Sequence, residues 1–289
     1  MKDLDYIIPE NLNEALALYD ENAAQRRTRL LAGGTDIACE LKEGIDYPEA
    51  IIQINHLPEL RFIEERDGHL VLGAMTTWRD MELSDLVRER VPLLFDMTRE
   101  FASIQIRAMA TVGGNLATAS PAGDSIPPFF ALDSIVNVHS TSGERAIPIS
   151  EFYIDRRRTA LTPGELIESV EVPIPDPEER CFFIKMGQRA SLNIAKVTVC
   201  GQVAFDGDGK INALRVAYGS VTPVIKRGFE VEKFLRGKKP TLQNLTRASE
   251  IAMSEVSPIT DIRSTDTYRR RMTGVLLKRG IASCVNARG

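Results

Sequence analysis

Two paired glycines, each directly after apolar residues, constrain this 289-residue chain more than any other feature. The first pair lies in Leu30-Leu31-Ala32-Gly33-Gly34-Thr35-Asp36-Ile37-Ala38. The second lies in Thr111-Val112-Gly113-Gly114-Asn115-Leu116-Ala117-Thr118, which runs on to Gly123-Asp124. Glycine lets the backbone turn through positive φ and approach another group closely. A run of bared N–H groups makes a concavity that suits an anion. Two such turns in one chain predict a diphosphate gripped from both sides. Hydroxyls and amides of Thr35, Thr111 and Asn115 could hold its oxygens, and Asp36 or Asp124 could accept from sugar hydroxyls. The competing reading is two tight turns packed against strands, which needs glycine equally.

The surrounding pattern is α+β. Asn11 reads as a helix cap with Glu14 as its reciprocal partner, followed by the stripe Leu12, Ala15, Leu16 and Tyr19. Leu30 to Ala32 and Ile51 to Ile54 read as short strands, so about the first 55 residues form a β-α-β unit. Leu70 to Ala74 is a predicted strand. Helices are predicted over 77–88 and 92–107, the second leading into the loop at Thr111. Strands follow at 135–139, 146–149 and 166–172. Pro173, Pro175 and Pro177 then exclude a central strand or helix and mark a linker. Beyond it, 197–205 and 211–219 flank Asp206-Gly207-Asp208-Gly209, a hairpin signal. Three helices are expected after about Lys226. The divisions are 1–175, with subdomains of about 1–55 and 56–175, and 176–289.

Several function classes are excluded. Net charge is −4 with both signs interspersed, which gives no nucleic-acid footprint. No segment nears the ~20 apolar residues of a membrane span, and the start Met1-Lys2-Asp3-Leu4-Asp5 has no apolar leader. A cytoplasmic protein is expected. Cys39, Cys181, Cys200 and Cys284 are scattered and form no C-x-x-C pair, so they read as buried thiols rather than zinc or iron–sulfur ligands. His56, His69 and His139 lack partners at ligand spacing. The basic triplets Arg26/Arg27/Arg29, Arg156 to Arg158 and Arg269 to Arg271 read as solvated faces. G-x-G-x-x-G, the P-loop pattern and G-x-S-x-G are all missing.

Taken together with Asn193-Ile194-Ala195-Lys196-Val197, Arg158 to Leu166 and Asp261 to Arg270, the two glycine segments resemble the FAD-binding subunits of molybdenum hydroxylases. That family includes the flavoprotein subunits of xanthine, carbon monoxide and nicotinate dehydrogenases. The likeness runs over nearly the whole chain. It implies a two-part FAD-binding domain of the vanillyl-alcohol-oxidase and CO-dehydrogenase flavoprotein type, then a smaller α+β domain with an antiparallel sheet and helices.

The resemblance also implies residue roles. Leu31, Ala32, Gly33, Gly34, Thr35, Asp36, Ile37 and Ala38 would wrap the FAD diphosphate from one side, and Thr111, Val112, Gly113, Gly114 and Asn115 from the other. Asp124 would bind ribose or ribityl hydroxyls. Phe101 would lie close to the cofactor, and Ile167 and Lys185 would line the flavin end, with Lys185 stabilising negative charge on the reduced ring. No general acid or base and no metal ligand is implied within this chain. Implied partners are a large molybdopterin-binding subunit, a small subunit with two 2Fe-2S clusters, and an acceptor such as NAD or a quinone.

The family's mobile loop corresponds to 186–196. Leu192-Asn193 replaces acidic residues there, which favours flavin reduction and leaves NAD use open. Two alternatives remain: a stand-alone FAD oxidoreductase, and a nucleotide-binding assembly protein without redox turnover.

Overall fold

A computed structural model describes residues 4–189 and 192–286. The amino-terminal unit comprises β1 (Asp5–Ile7), α1 (Leu12–Gln25), β2 (Thr28–Leu31), α2 (Ile37–Glu43) and β3 (Ala50–Gln53). Its three strands are parallel in the order β1-β3-β2, as the β-α-β pattern requires. Asn11 caps α1 by accepting from the Glu14 amide at 3.0 Å. The Glu14 carboxylate accepts from the Glu10 amide, one residue before the predicted partner.

The second unit opens with β4 (Ile63–Arg66) and β5 (His69–Gly73). Six helices follow: α3 (Trp78–Leu83), α4 (Asp85–Arg90), α5 (Pro92–Glu100), α6 (Ile104–Met109), α7 (Val112–Thr118) and α8 (Ile126–Ala131). It closes with β6 (Ile135–Ser140), β7 (Gly143–Pro148), α9 (Ile149–Phe152), β8 (Tyr153–Asp155), β9 (Arg158–Thr159) and β10 (Leu166–Pro173). The main sheet has the order β4-β5-β10-β6-β7.

Both helices predicted here are broken in two. Ser84 ends α3 and caps α4, accepting from the Val87 amide. Phe101 to Ser103 interrupts the other, with Ala102 at φ 41° and Ser103 capping α6. The segment predicted as a loop at Thr111 is a short helix instead. Thr111 caps it, and its side chain accepts from the Gly114 amide.

The carboxy-terminal unit pairs β11 (Arg180–Met186), β12 (Val197–Phe205), β13 (Ile211–Gly219) and β14 (Lys226–Arg227) in one antiparallel sheet. The β12–β13 hairpin turns at the predicted glycines, with Gly209 at φ 75°. Helices α10 (Phe229–Leu235) and α12 (Asp266–Asn286) pack on this sheet, and α11 (Leu242–Glu255) packs against both of them. One apolar core centres on Trp78, Phe129, Leu72 and Val170. A second centres on Tyr218, Val199, Leu235 and Leu277. The chain is therefore α+β in two domains, with an antiparallel sheet in the carboxy-terminal one. Among the described residues no helix is long and apolar enough to cross a membrane.

Candidate functional site

The two glycine turns meet. Gly33 presses against the backbone of Met109 and Ala110, and Gly114 lies beside Ala32. Thr118 Oγ1 donates to Asp36 Oδ2 across them at 3.0 Å. Between them opens a cleft of about 410 Å³, within the roughly 300–1,000 Å³ typical of ligand sites. Ala32, Gly33, Gly34, Thr35, Asp36, Ile37, Thr111, Gly113, Gly114, Asn115 and Ile167 all line it. Leu31, Ala38, Phe101, Val112, Asp124 and Lys185 lie outside its lining.

The two turns differ in how they use their amides. Gly34 takes φ 74°, so the backbone reverses just after β2. Among the described residues, the N–H groups of Gly33, Gly34, Thr35 and Asp36 donate to no protein acceptor. Four consecutive free donors at a cleft suit an anion.

At the second turn every amide from 112 to 115 is engaged. Val112 donates to the Thr76 carbonyl (2.9 Å), Gly113 to Ala74 (2.8 Å), Gly114 to Thr111 Oγ1 (3.1 Å) and Asn115 to the Thr111 carbonyl (3.0 Å). The expected two-sided amide grip is thus one-sided. Close packing accounts for Gly113, where a Cβ would stand 2.6 Å from the Ala74 Cβ. The second turn lines the cleft with Thr111, Gly113, Gly114, Asn115 and Thr118 but offers it no free amide from 112 to 115.

Asn115 leads toward a second cluster. Its Oδ1 accepts from Ser125 Oγ, next to Asp124. Lys185 reaches Asp124 Oδ2 at 2.6 Å and the Glu100 carbonyl at 3.2 Å. Both side chains are buried, and Asp124 Oδ1 has no hydrogen-bond partner among the described residues. Phe101, which follows Glu100 in sequence, is buried, its ring 5.1 Å from that of Trp78.

Burial pushes the Asp124 carboxyl up from 3.8 to about 6, against the lowering pull of Lys185. The folded state then holds a proton that the unfolded chain has already released. Stability from this group is present below about pH 4 and is lost as pH rises through about 6. Asp124→Asn removes that dependence. The difference in Tm between wild type and variant is expected to change between about pH 4 and 6 and to level off above. A difference constant across that range would contradict the assignment.

Sequence reasoning missed Arg29, Glu165 and Arg157, which also line the cleft. Arg29 lies on β2 beside Leu30, which also lines the cleft, and no motif or alternation in the sequence marks it. Glu165 is held down at about 2 by its Arg145 hydrogen bonds. Arg157, at φ 54° in the β8–β9 turn, bonds Glu40 at 2.9 Å and also lines a second cleft of about 380 Å³. Arg156, Arg263 and Arg269 share that second cleft, with Asp261 the one acid lining it among the described residues.

Three further readings change. Arg269 is 4% exposed and bonds the Lys196 and Ser220 carbonyls and Asp261, so it does not belong to a solvated face, whereas Arg271 of the same triplet is exposed. Strand pairing brings His139 to 3.2 Å from Glu168 and 4.0 Å from Glu144, partners that sequence spacing hid. Cys39 is exposed rather than buried. Burial pushes the thiols of Cys181 and Cys284 up to about 12 and 11 and raises Cys200 further.

Residues 2–175 match the family described as the FAD binding domain in molybdopterin dehydrogenase. Residues 182–284 match the CO dehydrogenase flavoprotein C-terminal domain. The glyceraldehyde dehydrogenase medium chain of Sulfolobus acidocaldarius is 31% identical over 274 residues, covering 95% of each chain. The nicotinate dehydrogenase FAD-subunit of Eubacterium barkeri is 27% identical, covering 96% of this chain and 95% of its own. A solved chain of carbon monoxide dehydrogenase from Hydrogenophaga pseudoflava superposes with a TM-score of 0.93 at 28% identity, over 98% of both chains. The chain belongs to the FAD-binding subunits of the molybdopterin dehydrogenases, and is an oxidoreductase subunit whose cofactor is FAD.

Proposed function

We propose that this chain is the electron-transfer subunit of a multi-subunit molybdenum hydroxylase. Electrons arrive from iron–sulfur clusters of a small partner subunit and leave to an external acceptor. The organic substrate is oxidised on a large molybdopterin-binding subunit. When bound, FAD supplies the two-electron redox chemistry. The observation that carries this reading is the row of four free amides at the cleft, together with the family match over residues 2–175.

In this reading the amides of Gly33 to Asp36 hold the diphosphate, flanked by Leu31, Ala32, Ile37 and Ala38. Thr111, Val112, Gly113, Gly114 and Asn115 form the facing wall. Asp124 binds cofactor hydroxyls while Phe101, Ile167 and Lys185 bound the flavin. Lys185 supplies a cation where negative charge develops on reduction, and burial strengthens that interaction. We place the boundary between the FAD-binding domain and the carboxy-terminal domain at the prolines, between 175 and 176.

The second cleft favours an anionic acceptor such as NAD over a quinone, because four arginines there face one aspartate. It is bordered by Ile194 and Ala195 of the 186–196 loop, of which residues 190 and 191 lie outside the described residues.

Purification from the native source, followed by cofactor and subunit analysis, tests this function. The expected result is FAD, iron and molybdenum in one complex with two other subunits. A flavin-bearing single chain that turns over substrate alone would establish the stand-alone oxidoreductase instead. A complex without flavin would point to the assembly protein.

A further inference from the structure

We propose that Arg107 is the positioning residue of the flavin end, acting on Lys185 through the Phe101–Ala102 corner. The inference rests on the electron-transfer reading above. Arg107 lies on α6, whose Ile104, Ile106 and Met109 are exposed, yet Arg107 itself is buried at 8% exposure. A guanidinium held that far from water requires matched acceptors. It has them on two sides. Nε and Nη2 donate to the two Glu82 carboxylate oxygens, each at 3.1 Å. Nη1 donates to the carbonyls of Phe101 (2.7 Å) and Ala102 (3.1 Å). Glu82 is fixed in turn by Arg79 at 2.7 Å.

The carbonyls that Arg107 grips belong to a strained corner. Ala102 has φ 41°, a conformation that disfavours any residue with a Cβ. Such a corner persists only where its surroundings over-determine it. Here the fork of Arg107 ties the corner to α3. That anchorage has two consequences. It sets the Phe101 ring against Trp78, and it aims the preceding carbonyl, of Glu100, at Lys185 Nζ. The Lys185 ammonium is then suspended between Glu100 and Asp124. Releasing the corner leaves Lys185 tethered by Asp124 alone. Lysine at position 107 has no planar fork and cannot make both sets of bonds.

The test uses the full chain loaded with FAD, in its complex if it purifies as one. Arg107→Met, Lys185→Met and the double variant are titrated spectroelectrochemically, with FAD content measured alongside. Arg107→Met is expected to keep FAD and to lower the reduced-to-oxidised flavin ratio at fixed potential by about tenfold. Lys185→Met shifts it in the same direction. The double variant falls little below Lys185→Met, because both substitutions act on one ammonium. Arg107→Lys restores only part of the shift.

An unchanged ratio in FAD-loaded Arg107→Met, or shifts that add fully in the double variant, would overturn the proposal. Where Arg107→Met does not fold, Arg107→Lys and Glu82→Gln decide: a lowered ratio in both supports it, and an unchanged ratio in either overturns it. Wild-type chain without bound FAD would instead refute the functional reading beneath it.

Discussion

Gly33→Val is expected to yield a chain that retains no FAD and melts well below wild type. A Cβ at position 33 overlaps the Met109 carbonyl oxygen and stands 3.2 Å from the Ala110 Cα. Both are backbone atoms, so no side chain can swing aside. The β1–β3 sheet must back away from the end of α6. Overpacking of this kind typically costs about 1–3 kcal/mol and occasionally more, and rigid backbone on both sides argues for the upper end.

The displacement also carries the free amides of Gly33 to Asp36 away from the facing wall. Flavin loss then follows from misplacement of the cradle, not from a side chain standing in the diphosphate's place. Gly207→Ala is the control, since nothing lies within 4 Å of a Cβ there. Thermal melts and the flavin-to-protein absorbance ratio after gel filtration check both. A Gly33→Val chain with wild-type Tm and stoichiometric FAD would contradict the packing argument.

Lys185→Met has the other large expected effect. Lys185 and Asp124 form a buried pair at 2.6 Å, and removing one member of such a pair costs about 3–5 kcal/mol when the other stays charged. Asp124 can avoid that cost by taking up a proton, because its carboxyl already sits near 6. Removing the cation raises it further. The loss of stability should therefore be larger at about pH 8 than at about pH 5. The flavin should also become harder to reduce, since the ammonium no longer favours its charged reduced form. Denaturant melts at the two pH values and a redox titration measure these effects. Equal destabilisation at both pH values with an unchanged potential would remove Lys185 from its assigned role.

Much of the fold is written locally. Asp206-Gly207-Asp208-Gly209 can hardly be anything but a turn between alternating strands, and β12 and β13 pair across it. Pro173 closes β10, paired with His69, and Pro175 and Pro177 beyond it keep the stretch before β11 irregular. Helix breaks were harder to see. Ser84 and Ser103 stop and restart helices without a glycine or proline, and the apolar periodicity continues through them.

Within the candidate site, the first glycine turn was legible because a strand must reverse there. The second was not, because Thr111-Val112-Gly113-Gly114 does not state where its amides point. Only the packing of Gly113 on Ala74 shows that they face the protein. Partnerships across long separations were equally hidden. Lys185 and Asp124 lie 61 positions apart, and Arg157 bonds Glu40 across 117. Such contacts follow from strand order, which no local pattern encodes.

The central claim concerns one set of donors, and a crystal structure of the FAD-loaded chain tests it most directly. Diphosphate oxygens should lie within about 2.7–3.2 Å of the amide nitrogens of Gly33, Gly34, Thr35 and Asp36. A diphosphate held elsewhere, with those four amides turned to water, would contradict the account.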